Sequence, residues 1–190
     1  MKKGEIKMKD LKNFTNILCG NFDNSTQLER FKKEGIEGYP YAKHINTVCN
    51  DKIKNIPSDF EGIFVIEESY YTVNDRTNPM PHLFLFTEEN GKVTLTSYEI
   101  PEGYTKQNFT YENIEIIDFK SLKLSEKFTP AVYEYKKGVW EGGSVSMFTP
   151  VMKFTLFERF SEEVLEVTET IEVNGKRTFG YDLPLEYRRI

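Results

Sequence analysis

The apolar residues near the start of the chain follow a helical pattern. Leu11, Phe14 and Leu18 recur at spacings of three and four residues, which places their side chains on one face of a helix. A second, shorter helix is predicted over residues 26–34, before glycine and proline residues interrupt the pattern. We therefore expect residues 1–35 to form a helical cap that covers one end or flank of the rest of the domain.

From residue 41 onward, apolar and polar residues alternate with the period of two that is typical of β-strands. Asn90-Gly91 and Asn174-Gly175 each separate two such runs, which is a strong signal for a tight β-hairpin. The predicted strands cover residues 60–72, 83–87, 93–100, 114–119, 131–135, 139–141, 152–160, 164–173 and 177–181, with an extended tail at 184–189. Because no helical pattern separates them, we expect an all-β antiparallel barrel or sandwich over 41–190, within a single domain that spans 1–190.

The composition is that of a globular, mildly acidic protein. Hydrophobic residues make up 38% of the chain and aromatic residues 14%, which is enough to fill a core. The formal net charge of -5 disfavours a nucleic-acid partner bound through a basic face. We find neither an apolar run of the roughly 20 residues that a membrane-spanning helix needs nor a signal-peptide core. The expected location is therefore the cytoplasm, without a membrane partner.

Common signatures of metal and nucleophile chemistry are missing from the sequence. The two cysteines, Cys19 and Cys49, lie in no CxxC or Cys/His cluster, and we expect both to be reduced, buried thiols. The two histidines, His44 and His82, lie far apart, so no zinc or di-iron site is expected. The chain also has no phosphate-binding loop, no dinucleotide-binding glycine pattern and no G-x-S-x-G turn.

A barrel of this size can enclose one small ligand, and two glutamates indicate a candidate site. Glu67 and Glu68 are consecutive in a predicted strand, so their side chains face opposite sides of the sheet and one faces the interior. A buried carboxylate needs a hydrogen-bonding partner or a raised pKa, and either makes it a site candidate. Two alternatives stay open, which are solvation at the barrel mouth and an ion pair with Arg159.

Several strand aromatics offer flat surfaces on which a planar ligand could stack. They are Tyr70, Tyr71, Tyr98, Tyr133, Tyr135 and Trp140. The alternative is that these rings fill the hydrophobic core. His82 is a candidate donor to a carboxylate, unless it lies on the surface.

Three stretches of the chain resemble motifs of the CpcT/CpeT family, the T-type phycobiliprotein chromophore lyases. Residues 20–27 (GNFDNSTQ) follow the family's opening pattern G-x-F-[S/D]-N-x-x-Q. Residues 65–70 (VIEESY) are similar to the family strand Y-V-E-Q-A-Y and match it at Glu67 and Tyr70. Residues 175–189 resemble the family's G-x-x-x-W-G and G-P-F-x-F-x-R ending.

The chain departs from the family pattern at two points. The family's P-Y-R-x-R segment is replaced at 78–82 by Asn-Pro-Met-Pro-His, which leaves Arg76 as the only nearby arginine. A cysteine that is frequent in the second half of the family is missing, because no cysteine follows Cys49. If the family's arginines hold ligand propionates, this chain must use Arg76, His82 or lysines instead.

The resemblance implies a lipocalin/calycin-like β-barrel with an N-terminal helical segment that binds a linear tetrapyrrole (phycobilin), either phycoerythrobilin or phycocyanobilin. The bilin would be a substrate rather than a permanently bound cofactor, and a cysteine of a phycobiliprotein β-subunit would receive it as a thioether. The resemblance makes Glu67 the catalytic residue, which would accept hydrogen bonds from pyrrole N–H groups. The implied ligand-binding residues are Tyr70, Arg76, His82, Tyr98 and Trp140.

Two other functions stay open. A barrel of the same shape could carry another hydrophobic ligand, such as a haem breakdown product or a fatty acid, and the missing arginines favour this alternative. An interior packed with large side chains would instead indicate a structural or partner-binding barrel. Exposed strand edges also favour a homodimer.

Overall fold

The computed structural model describes residues 3–190, with side chains described from residue 10 onward. Two α-helices, α1 (Lys3–Leu18) and α2 (Ser25–Glu34), lie in the N-terminal part, and two single-turn 3-10 helices lie at Asn50–Lys52 and Phe119–Ser121. The described strands are β1 (Gly20–Asp23), β2 (Tyr41–Val48), β3 (Ile53–Lys54), β4 (Ile63–Val73), β5 (Arg76–Glu89), β6 (Lys92–Tyr98), β7 (Ile117–Asp118), β8 (Ala131–Lys136), β9 (Val139–Thr149), β10 (Met152–Phe160), β11 (Leu165–Val173), β12 (Lys176–Phe179) and β13 (Leu185–Arg189). No described helix is long and apolar enough to cross a membrane.

Ten of these strands close into one antiparallel barrel. Around the ring the order is β10, β9, β8, β6, β5, β4, β2, β1, β13 and β11, and the pairing of β11 with β10 completes it. β12 pairs with β11 outside the ring, while β3 and β7 form a separate parallel pair. The predicted all-β, lipocalin-like barrel with an N-terminal helical segment is confirmed. Each ring strand has two neighbours along part of its length, but residues 76–82 of β5 and 144–149 of β9 pair on one side only, so unpaired edges occur within the ring as well as on the short strands outside it.

The turns explain why neighbouring strands pair in chain order. Asn90-Gly91 joins β5 to β6, Asn174-Gly175 joins β11 to β12, and all four residues have positive φ angles. These angles are typical of type I′ hairpin turns, which Asn and Gly tolerate better than other residues. Both predicted hairpins are therefore confirmed.

Some strand predictions are wrong. The strand predicted at 114–119 is limited to Ile117–Asp118, which lies outside the barrel. β9 continues to Thr149, well beyond the predicted end at residue 141. The individually predicted strands begin at residue 60, so they omit β1 and β2, although the strand-like period begins at residue 41, and β13 is predicted only as an extended tail. All three belong to the ring.

Helix α1 closes one end of the barrel. Its inner face is buried, and the ring of Phe14 contacts four aromatic rings of the wall at centroid distances of 5.0–5.2 Å. These rings belong to Phe86, Tyr133, Trp140 and Phe160. Aromatic pairs at this spacing stabilise the core beyond the effect of burial alone. The helical cap predicted from Leu11, Phe14 and Leu18 therefore completes the core at this end.

The long connection between β6 and β8 covers the outer face of β4 and β5. Phe109 and Ile114 of this connection are buried in one hydrophobic cluster with Phe64, Ile66 and Leu83 of the two strands. β4 is therefore buried on both faces, which explains why it opens with a continuous apolar run instead of an alternating one.

The opening sequence motif connects the helical cap to the barrel. The side-chain amide of the buried Asn24 donates to the Pro40 carbonyl (2.9 Å), and its oxygen accepts from the Ala42 N–H (2.8 Å). Gln27 on α2 forms an equivalent pair of hydrogen bonds, of 2.7 and 3.1 Å, with two backbone groups at the entry to β13. Two amide side chains thus satisfy four backbone groups, which gives this motif a structural role.

Replacing Asn24 by Ala is expected to lower the free energy of unfolding by about 2 kcal/mol, because a buried backbone group left without a partner costs roughly 1–3 kcal/mol. Urea unfolding followed by circular dichroism measures the change. Asn16→Ala, on the exposed face of α1, is the matched control. A loss no larger than that of the control would contradict the structural role of the motif.

Candidate functional site

A cavity occupies the half of the barrel that α1 does not fill. Along β10, Phe160 packs against α1, whereas Phe154 and Leu156, on the same face of the strand, line the cavity. The cavity volume is about 470 Å³, within the range of roughly 300–1,000 Å³ that small-molecule pockets occupy. The alternative of a barrel with a completely filled interior is therefore wrong.

The inner end of the cavity, next to the core that α1 completes, is polar. Glu158 lies two positions before Phe160 on the same face of β10, so it marks the boundary between the cavity and the aromatic core. Four ionisable residues of the lining influence one another's pKa there. We call them the polar floor, and they are His44, Glu67, Glu158 and Glu169.

Of the two consecutive glutamates, Glu67 is the one that faces the interior. Its Oε2 atom lies 3.6 Å from Nδ1 of His44 on the neighbouring strand, and Ser69 Oγ donates a 2.9 Å hydrogen bond to Oε1. Burial acts to raise the pKa of Glu67, but the charge and hydrogen bonding of His44, followed by the charge of His82 and the hydrogen bond from Ser69, outweigh it and bring the pKa to about 2. Glu67 is therefore ionised at neutral pH. The alternative partner, Arg159, is wrong, because its guanidinium lies 3.5 Å from Glu166 instead.

The other two carboxyl groups of the polar floor hold their protons more strongly. Burial, together with the negative charge of Glu67, raises the pKa of both Glu158 and Glu169 to about 7. Tyr133 donates a hydrogen bond to Glu158, and the Tyr71 hydroxyl donates one to Glu169 at 3.5 Å. At neutral pH the floor thus contains one stable anion and two carboxyl groups that are near their titration midpoints.

His44 is the positive partner in this cluster. Burial acts to lower the pKa of its imidazole, but the charges of Glu67, Glu169 and Glu158 outweigh burial and raise it. The side chain is buried, and neither ring nitrogen has a hydrogen-bond partner among the described side chains. Nδ1 faces the Glu67 carboxylate at 3.6 Å, so Nε2 is the ring nitrogen without a nearby partner. Because a buried donor without a partner is costly, the Nε2–H group is the one available to a ligand that enters the cavity.

Aromatic rings form the walls between the polar floor and the mouth. The His82 ring stacks on Phe84 with a centroid distance of 5.3 Å and an interplanar angle of 6°. Phe148 and Phe154 stack on each other at 5.3 Å, and Phe128 meets both of them edge-on at 5.2 and 5.8 Å. Burial lowers the pKa of His82, so its ring is neutral at neutral pH. These walls suit a flat and largely apolar ligand.

Three of the predicted site residues, Glu67, His82 and Tyr98, line the cavity. Glu67 and His82 are direct partners on the paired strands β4 and β5. Tyr98 lies at the end of β6, where its ring also contacts Phe64 of the outer hydrophobic cluster at 5.5 Å. The structure therefore brings Glu67 and His82 together and leaves Tyr98 at the edge of the cavity.

Tyr70, predicted together with Glu67, faces the other side of the sheet. Side chains alternate along a strand, so residues three apart point to opposite faces. The Tyr70 hydroxyl donates a 2.7 Å hydrogen bond to Glu68, and both residues border a separate hollow of about 220 Å³ on the outside of the barrel. Tyr70 therefore does not line the cavity that contains Glu67, whereas Tyr71 does, and the ligand contact of Tyr70 stays a prediction.

Arg76 and Trp140 also lie outside the cavity, so the structure does not bring them together with Glu67, and their ligand contacts stay predictions. Arg76 is exposed and directly follows the positive-φ turn that joins β4 to β5. Trp140 is buried in the aromatic core at the closed end, where it packs against Phe14 at 5.1 Å. A large apolar ring gains more free energy from that core than from a solvated cavity wall.

The sequence analysis missed three members of the polar floor. His44, Glu158 and Glu169 each occupy an inward position of a strand. Glu158 lies between Leu156 and Phe160, so a charged residue inside an alternating apolar run was the available signal.

The described side chains include no group of three or more His, Cys, Asp and Glu residues arranged to hold a metal ion. Both cysteines are free, and Cys49 is buried while Cys19 is partly exposed. Burial raises the pKa of each thiol to about 12, so neither Cys19 nor Cys49 is a thiolate nucleophile at neutral pH.

Comparison with known proteins finds no matching family model, no matching curated protein and no matching solved structure. A functional assignment therefore depends on the chemistry of the cavity and on the resemblance of the three sequence stretches to T-type lyases.

Proposed function

We propose that this protein is a phycobilin chromophore lyase, which binds a linear tetrapyrrole in the barrel cavity and delivers it to a cysteine of a phycobiliprotein β-subunit. The observation that carries the proposal is the ionised carboxylate of Glu67 at the inner end of a ligand-sized cavity with aromatic walls. The resemblance of residues 20–27, 65–70 and 175–189 to T-type lyases supports the same function.

A bilin matches the cavity in the chemistry of its parts. Its conjugated rings are flat and apolar, which suits walls formed by phenylalanine side chains and the stacked His82. Its pyrrole N–H groups are donors, and the charge on Glu67 strengthens the hydrogen bonds that this carboxylate accepts. Glu158 and Glu169 supply further acceptors, and with pKa values near 7 they can take or give a proton when the bilin changes its protonation state.

Thioether formation needs no nucleophile from this chain. The sulfur of the acceptor cysteine bonds to one carbon of an exocyclic double bond of the bilin, and the thiol proton ends on a carbon of the ligand. The reaction is an addition, so no group leaves and no external oxidant or reductant is needed. The lyase contributes by holding the bilin in one orientation and by keeping competing nucleophiles away from it.

Absorption and fluorescence titrations with phycoerythrobilin and phycocyanobilin test the binding step, with biliverdin as the control. A saturable, red-shifted and sharpened band is expected with one of the two bilins, because the protein would hold it stretched and protonated. A spectrum indistinguishable from that of free bilin would overturn the proposal. Incubation of the loaded protein with apo-β-subunit then tests transfer, whose expected product keeps its colour after denaturation.

A non-catalytic carrier of another hydrophobic molecule is the second candidate. Arg76, the only arginine near the replaced family segment, lies outside the cavity, and this favours a ligand other than a bilin. A fatty acid would have to place its carboxylate at the mouth, because the charge of Glu67 repels it from the polar floor. Saturable binding of a fatty acid without binding of either bilin would establish the carrier in place of the lyase.

A further inference from the structure

The cavity is electrically polarised along its length. Its inner end contains the ionised Glu67, whereas the long connection between β6 and β8 contributes Lys106, Lys127 and the exposed Glu99 to the lining, so the two lysines outnumber the one carboxylate there. Both lysines are exposed, so they mark the mouth of the cavity. Neither forms an ion pair with any side chain described from residue 10 onward. Two ammonium groups without an ion-pair partner among these side chains therefore lie at one opening of a protein whose net charge is -5.

Two phenylalanine rings position the ammonium group of Lys127. Lys127 Nζ lies 4.1 Å from the ring centroid of Phe148 and 5.5 Å from that of Phe128, both of which line the cavity. A cation over aromatic faces is held in place while its N–H groups stay free to donate. Lys106 borders both the large cavity and the outer hollow beside Tyr70. The positive charges of both lysines also contribute to the lowered pKa of His82 in the cavity wall.

We infer that Lys106 and Lys127 bind the carboxylate groups of an elongated ligand whose N–H groups face Glu67 at the inner end of the cavity. This inference rests on the proposed function, and it names the two residues that hold the propionates of a bilin. The opposite orientation is unfavourable, since it would place the carboxylates against Glu67 and leave both ammonium groups without anions. The sequence leaves Arg76, His82 or lysines to bind the propionates in place of the family's arginines, and Lys106 and Lys127 take this role.

Methyl esters of the propionates test the inference without changing the conjugated rings. Phycoerythrobilin, phycocyanobilin and their dimethyl esters are titrated into the wild-type protein and into the double variant Lys106→Gln/Lys127→Gln. Each exposed ion pair contributes a few-fold to affinity. The bilin that binds is therefore expected to bind the double variant about tenfold more weakly than wild type. The ester is expected to bind wild type about tenfold more weakly than the free acid does. Its affinity for the double variant should equal its affinity for wild type. The difference between acid and ester should shrink at high salt.

The matched control is Lys12→Gln/Lys33→Gln, which removes two exposed lysines from α1 and α2 and changes the net charge equally. Circular dichroism establishes that each variant is folded. Equal affinity of acid and ester for wild type, or equal loss in the control variant, would overturn the lysine assignment while the proposed function stands. Absence of saturable binding by all four compounds would overturn the proposed function and the inference together.

Discussion

Replacing Glu67 by Gln is expected to weaken bilin binding by about 10- to 100-fold and to shift the bound absorption band toward that of free bilin. A hydrogen bond to a charged group contributes roughly 1.5–3 kcal/mol, and each 1.4 kcal/mol is a factor of ten in affinity. Glutamine keeps the size of the side chain but removes the negative charge that favours a protonated bilin. It also leaves His44 without the carboxylate that lies 3.6 Å from its Nδ1 atom. Absorption titration measures both the affinity and the band.

Glu68→Gln is the matched control, because this neighbouring carboxylate faces the opposite side of β4. It accepts hydrogen bonds from the Tyr70 hydroxyl (2.7 Å) and from the Tyr111 N–H (3.1 Å), and it does not line the cavity. Bilin affinity and spectrum should therefore stay at wild-type values in this variant. If Glu67→Gln also left both unchanged, Glu67 would have no place in the binding site.

Local sequence signals were sufficient for the type of fold. The two Asn-Gly pairs predict hairpins because few other residues adopt the positive φ angles that these turns require. Alternating polarity predicts the strands, since one face of each packs on the interior. The pairing of β1 with β13 and the closure of β10 on β11 depend on residues far apart in the chain, and no local pattern specifies such register. The strand predicted at 60–72 matches β4 closely, but its apolar opening gives no sign that Phe64 and Ile66 are buried by a loop on the outer face.

The candidate site was only partly predictable. Alternation alone places Glu67 and Glu68 on opposite faces, and the structure confirms this. The same rule, applied to Glu67 and Tyr70, excludes Tyr70 from the interior, so its place outside the cavity was predictable. The place of Trp140 was not, because the sequence does not reveal which end of the barrel α1 fills.

The connection between β6 and β8 carries the part of the site that no sequence pattern could have placed. Lys106 and Lys127 lie in irregular structure, where side-chain direction follows neither the helical nor the strand period. They reach the same mouth because Phe109 and Ile114 fix this connection to the outer face of β4 and β5. One loop thus covers the outer hydrophobic cluster and completes the cavity.

The free energy of unfolding of the unliganded protein is expected to fall as the pH rises from about 4.5 to 7. Burial, with the charge of Glu67, raises the pKa of Glu158 and Glu169 from 4.5 to about 7 on folding. Between these values the folded state binds more protons than the unfolded chain, so raising the pH favours unfolding. Each unit of pKa corresponds to about 1.4 kcal/mol, which gives up to roughly 3 kcal/mol for each carboxyl group.

Of the other two members of the polar floor, Glu67 acts below this pH window and His44 begins to act only at its upper end. The pKa of Glu67 is lowered from 4.5 to about 2, so its stabilising contribution is present above pH 4.5 and is lost as the pH falls toward 2. The pKa of His44 is raised above 6.5, so its contribution is lost only as the pH rises beyond that value. The polar floor as a whole therefore favours the folded state most strongly near pH 4.5, where Glu67 has gained most of its contribution and Glu158 and Glu169 have lost little of theirs.

The double variant Glu158→Gln/Glu169→Gln isolates the two titrating groups. Glutamine cannot release a proton, yet its side chain can still accept the hydrogen bonds that Tyr133 and Tyr71 donate. Urea unfolding at several pH values between 4.5 and 7.5 measures the free energy of unfolding. This free energy should decline with rising pH in wild type and change much less with pH in the variant. Glu162→Gln/Glu163→Gln, in the exposed turn between β10 and β11, removes the same formal charge and should keep the decline. A wild-type protein whose stability stays constant or rises across this range would contradict the raised pKa values of Glu158 and Glu169, because carboxyl groups that ionise as they do in water contribute no dependence on pH.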